Sequence, residues 1–138
     1  MKEVKIFLDS NILVYAFDKS NIKKHNTSKG IISNGGFYIS VQVVNEFINV
    51  VTSKIETTIS YEKVLSIVDL FPTFLTIRSL SFENSISAIK LKNKYKYSYF
   101  DSLIIASALD NDCEILYSED MQHNQIIEDK LKIINPFK

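Results

Sequence analysis

Ile6-Phe7-Leu8-Asp9-Ser10-Asn11-Ile12-Leu13-Val14-Tyr15-Ala16 is the stretch on which the reading of this chain turns. The apolar run from Val4 to Leu8 suits a buried strand. Asp9, Ser10 and Asn11 then offer three N-caps for a helix through Ile12 to Phe17. A strand that passes straight into a helix opens an α/β unit. In open α/β sheets ligands gather at the carboxyl ends of the strands, which is where Asp9 stands.

The rest of the chain repeats the alternation. A polar helix is expected from Asn21 to Ser33, a break at Gly35-Gly36 and a strand at Phe37-Tyr38-Ile39. Ser40 caps a helix from Val41 to about Lys54, whose core stripe reads as Val44, Phe47, Ile48, Val51 and Ile55. A helix from Ser60 is expected to end before Pro72, and Phe74 to Leu80 reads as a strand. Ser81 and Ser98 cap two further helices, to about Tyr95 and Leu109. Asn111-Asp112 is a turn, and Ile115 to Tyr117 and Lys132 to Asn135 are the last strands. The expectation is one α/β domain over residues 1–138, with a central, mainly parallel sheet of four or five strands.

Composition narrows the function. At 138 residues with 46% apolar and 23% charged, the chain has material for a real core. One cysteine, Cys113, excludes an internal disulfide, and with His25 and His123 it leaves too few ligands for structural zinc. Sixteen basic and sixteen acidic residues cancel, so nucleic-acid binding needs a local patch. No apolar run approaches the ~20 residues of a membrane span, and a cytoplasmic location is expected. Both histidines lie in polar stretches and read as surface residues. Cys113, between Asp112 and Glu114, lacks the electropositive setting of a reactive thiol.

Four acids stand out. Asp9 is the only charge between Ile6 and Phe17, Glu46 between Gly35 and Ser53, and Asp101 between Tyr97 and Leu109. Asp120, like Asp9, follows a strand, although its surroundings are generally acidic. Asp101 lies at the margin of a stripe of Phe100, Ile104 and Ala108. Each acid taken alone also fits a plain role: Asp9 as a cap, Glu46 on a wet helix face, Asp101 in a helix's first turn, Asp120 in a surface turn. Taken together they suggest converging carboxylates, which repel unless a cation joins them. Oxygen ligands select Mg²⁺ or Mn²⁺, a common apparatus of phosphoryl chemistry.

The opening stretch resembles that of a PIN domain, the fold of VapC-type toxin ribonucleases. The resemblance continues through Asn45-Glu46-Phe47, Tyr99-Phe100-Asp101-Ser102-Leu103-Ile104-Ile105-Ala106, Tyr117-Ser118-Glu119-Asp120-Met121-Gln122 and Ile133-Ile134-Asn135-Pro136-Phe137, in order along the chain. It implies a three-layer α/β/α sandwich in which Asp9, Glu46, Asp101 and Asp120 hold one or two Mg²⁺ or Mn²⁺ ions. Asn11 and Ser118 match positions that orient the acids, and Ser10 stands where Thr is also common. Where many PIN domains carry a further acid, this chain has Gln122, which leaves Asp120, with Glu119 as a possible helper. The resemblance implies an endoribonuclease, a homodimer and an antitoxin that blocks the site.

Lys90, Lys92, Lys94 and Lys96 alternate through a run that holds Tyr95, Tyr97 and Tyr99 and leads into Asp101. Lysines neutralise phosphates and tyrosines stack on unpaired bases, so Lys92, Lys94, Lys96 and Tyr97 are the candidate RNA contacts. A wet helix end is the alternative. Lys19, Lys23, Lys24 and Lys29 read as a solvated helix face. Two rival functions remain. One is a small haloacid-dehalogenase-like phosphatase with Asp9 as nucleophile, although Asn11 stands where that motif has a second Asp. The other is an RNA-binding PIN-like module without turnover.

Overall fold

The computed structural model describes residues 3–53 and 59–138. The first strand, β1 (Ile6–Leu8), is followed by α1 (Ser10–Phe17) and α2 (Ile22–Ser33). Then come β2 (Phe37–Ser40), α3 (Val41–Ser53), α4 (Tyr61–Phe74) and β3 (Leu75–Arg78). The chain returns through α5 (Phe82–Tyr95) and α6 (Tyr99–Asp110) to β4 (Ile115–Tyr117), β5 (Ile126–Ile127) and β6 (Leu131–Ile134). Asp9, Asn21, Ser60, Ser81 and Ser98 each accept a backbone N–H from the turn they precede, so the polar residues before the apolar runs do set the helix starts. Gly35 and Gly36 both take positive φ, at 69° and 79°, a pair of left-handed residues that ends α2 and aims β2 at the sheet.

The sheet order is β3-β2-β1-β4-β6-β5, parallel except for β5 against β6. From β1 the chain steps outward to β2 and β3, then crosses back to β4 on the other side of β1. Right-handed crossovers put α1–α4 on one face and, after the reversal, α5–α6 on the other. The helix packing follows that division, with α1 against α2 and α3, α3 against α4, and α5 against α6. The three-layer α/β/α sandwich is thus present. The reversal between β1 and β4 makes a crevice at the carboxyl ends of those two strands.

Several local expectations are corrected. Among the described residues there are six strands, not four or five, because the two-residue β5 is too short to leave a periodic signal. Helix α4 runs through Pro72 to Phe74; the proline stands in the last turn, where its missing N–H costs one bond and fully buried Phe71 anchors the helix beside it. The deepest face of α3 is Val43, Phe47 and Val51, with Val44 and Ile48 only half-buried; Lys54 and Ile55 lie outside the described residues. In α6 every residue from Ser102 to Ala108 is buried, because the helix lies between α5 and the sheet. Phe100, expected on a core stripe, is 62% exposed.

Candidate functional site

Asp9 leaves the end of β1 where Leu8 pairs with Tyr117 of β4, and its N–H donates to the Tyr117 carbonyl at 3.0 Å. It is 3% exposed. One carboxylate oxygen, Oδ1, accepts the Ser10 N–H at 2.7 Å, and the other accepts the Ser118 hydroxyl at 2.7 Å. Asp9 is therefore the N-cap of α1, as one reading of the sequence has it, and also the acid at the crevice. Fully buried Ser118 plays a second part, since its Oγ accepts the Asp120 N–H at 3.3 Å. Asn11 reaches the same turn, donating from Nδ2 to Asp120 Oδ2 at 3.2 Å and accepting the Glu119 N–H on Oδ1 at 3.4 Å. The residues expected to orient the acids do touch them.

Glu119 turns away from this edge. Its carboxylate accepts the Tyr15 hydroxyl at 2.8 Å and pairs with Lys24 Nζ at 2.6 Å. Lys24 also lies over the rings of Tyr15 and Phe137. It is bound to the turn after β4, where the sequence reads as a solvated face. Gln122, at the place of the family's further acid, donates its N–H to the Tyr97 hydroxyl at 3.0 Å.

The other two acids come from helices. Glu46 is half-buried on the side of α3, which the inward rotation of Val43 and Phe47 brings toward the sheet edge. It accepts from Gln42 Nε2 at 3.1 Å, a residue that sequence reasoning misses. Asp101 is half-buried in the first turn of α6, where its N–H donates to the Ser98 hydroxyl at 3.1 Å.

Burial pushes the Asp9 carboxyl up to about 7. The Ser118 and Ser10 hydrogen bonds oppose that rise, and the charges of Asp101 and Glu46 add to it. Asp101 is likewise raised, first by burial and then by Asp120. Mutual repulsion thus links Glu46, Asp9, Asp101 and Asp120 across one sheet edge. Among the described residues no three His, Cys, Asp or Glu side chains stand close enough to hold an ion as they are. In donor chemistry and in charge the four acids fit a hard divalent cation: their ligand atoms are all oxygens, and their repulsion is what such a cation relieves.

The lysine run divides. Lys94 is bound to Glu128 at 2.5 Å, and Tyr95 donates to the same carboxylate at 2.9 Å. The Tyr97 hydroxyl is held by Gln125 and Gln122. Lys92 and Lys96 line an open dish with Ile89, Asn93 and Tyr97. Neither histidine is a free surface group. His25 is 5% exposed with Nδ1 against the Tyr15 carbonyl at 2.9 Å, and His123 accepts the Asn135 N–H at 2.9 Å. Packing of α2 against α1 covers His25, which a polar local sequence does not reveal, while His123 is half-buried in the turn before β5. Cys113 is buried with its thiol pushed up to about 11 by desolvation, an inert setting.

The family model of the PIN domain matches residues 6–128. No curated protein matches. Among solved structures, the chain is similar to Mycobacterium tuberculosis VapC20, a toxin that cleaves the sarcin-ricin loop, with a TM-score of 0.69 and 13% identity over 84% of this chain and 90% of that one. It is similar to a chain of a toxin–antitoxin complex from Klebsiella pneumoniae, with a TM-score of 0.70 and 16% identity over 96% and 98%. It is also similar to a chain of VapBC2 from Rickettsia felis bound to a promoter DNA fragment, with a TM-score of 0.61 and 23% identity over 96% and 100%. At these identities the likeness is one of fold.

Proposed function

The chain belongs to the PIN-domain family, and we propose that it is a metal-dependent endoribonuclease serving as the toxin of a toxin–antitoxin pair. The observation that carries this reading is Asp9: a carboxylate buried at the switch point between β1 and β4 and charged against Asp101 and Glu46. A buried acid among acids is costly for the fold alone, and it suits a cation site.

Asp9, Glu46, Asp101 and Asp120 would hold Mg²⁺ or Mn²⁺. The bound cation supplies a Lewis acid that lowers the pKa of water and neutralises charge on a phosphate. Ser118 aims Asp9 Oδ2, and Asn11 aims Asp120 Oδ2. Ser10 fixes the other Asp9 oxygen through its backbone N–H. An RNA strand would rest on the dish of Lys92, Lys96 and Tyr97, while Lys94 is engaged by Glu128. An antitoxin covering this edge, a homodimer and a cytoplasmic location complete the reading, over residues 1–138 as one nuclease domain. The toxin–antitoxin complexes of similar fold support the antitoxin. A phosphatase with Asp9 as nucleophile loses support because Asn11 is occupied with the Asp120 turn.

Incubation of the purified chain with total RNA and Mn²⁺ tests the proposal. Cleavage is expected, and Asp9→Asn and Asp101→Asn should each abolish it without loss of stability in EDTA. Retained cleavage in purified Asp9→Asn would sink the assignment.

A further inference from the structure

Gln42 lies one helical turn before Glu46 on α3 and is 8% exposed. Its Nε2 donates to Glu46 Oε2 at 3.1 Å and to the Phe100 carbonyl at 2.9 Å. Both partners only accept, so the amide cannot turn over without setting its own oxygen against two others. Among the described residues this is the one hydrogen bond that the Glu46 carboxylate receives. Phe100 is the residue before Asp101. A single amide therefore ties an acid of α3 to the backbone that carries the acid of α6. The Gln42 Oε1 is buried without a partner, which marks the side chain as held for its two donors.

We propose that Gln42 is a positioning residue, setting Glu46 against Asp101 for a shared divalent cation; the inference rests on the nuclease reading above. The choice of an amide has a physical reason. Gln holds the carboxylate while leaving its charge for a cation. A lysine could meet the same two acceptors, but its charge would compete with the metal. Only one Glu46 oxygen is engaged, so the other stays available as a ligand.

The test compares the parent chain with Gln42→Met, which keeps length and removes both donors. Mn²⁺ binding by calorimetry should weaken about 10–100-fold, the usual scale for an outer partner of a metal ligand. On RNA, kcat should fall with KM little changed, and the melting temperature in EDTA should hold. In a double-mutant cycle, Gln42→Met should cost little more Mn²⁺ affinity once Glu46→Gln is present. Parent-like Mn²⁺ affinity in Gln42→Met, or full additivity in the cycle, overturns the proposal. A second measurement leaves position 42 unchanged and needs no metal. The Gln42 side-chain amide resonances should be protected from exchange and should move on Glu46→Gln; unmoved resonances overturn the proposal even if Gln42→Met fails to fold. A parent that neither binds Mn²⁺ nor cleaves RNA overturns the nuclease reading itself, and the resonances report the Gln42–Glu46 link separately.

Discussion

At Asp9, burial and neighbouring charge act in the same direction. Its carboxyl stands at about 7 in the fold against an ordinary 3.8. An acid raised by folding adds stability that is fully present below about 3.8 and is lost as the pH rises through about 7. The scale is about 1.4 kcal/mol for each pH unit between the two values. In EDTA, the parent should therefore lose stability relative to Asp9→Asn as the pH rises from 4 to 7. Melting the two proteins across that window checks it, and parallel curves would refute it. Mn²⁺ at pH 7 should restore the parent by mass action and leave the variant unmoved. Asp9 is legible in the sequence because it is a lone charge in an apolar opening. Gln42 is not, because its meaning comes from a carbonyl 58 residues away.

Among the elements, the end of α5 is where sequence and structure part most usefully. The alternation of lysine and tyrosine from Lys90 to Tyr99 reads as one basic strip. Folding brings Glu128 onto Lys94 and Tyr95, and Gln125 onto Tyr97. Two of the three candidate lysines, Lys92 and Lys96, are left facing open solvent in one dish. Changing Lys92, Lys94 and Lys96 together to Gln should shallow the log–log salt slope of RNA binding by about 1.4, two contacts at roughly 0.7 each. Lys94→Gln alone should leave the slope where it was, and Mn²⁺ affinity should not fall in either protein. Filter binding across a salt series measures both. A triple variant with the parent's slope would reduce the run to a wet helix end. The α3 stripe shows the same lesson: periodicity located the helix, but its rotation by about one residue came from packing against the sheet and α4.

Over the whole molecule, the acids are held by the core that lies directly behind them. Phe47 is fully buried and meets Phe17 of α1 and Phe71 of α4 edge to face, at 5.7 and 5.2 Å between ring centres. It adjoins Glu46, so the same packing sets how far α3 turns that acid toward the edge. Phe47→Ala should cost about 3–5 kcal/mol in urea unfolding and should also lower Mn²⁺ affinity. A loss under about 1 kcal/mol would show that the cluster does not anchor α3. The sequence by itself determined the alternation of strand and helix, the serine, aspartate and asparagine caps and the three isolated acids Asp9, Glu46 and Asp101, because these depend on neighbours within a turn or two. Tertiary structure alone decided the strand order that sets Asp9 beside Ser118, the burial of His25, the capture of Glu119 by Lys24 and the bridge from Gln42 to Phe100. Each of those joins groups far apart in the chain. Local propensity carries no record of such partners; they are selected by which polar atoms must be satisfied once the core has closed.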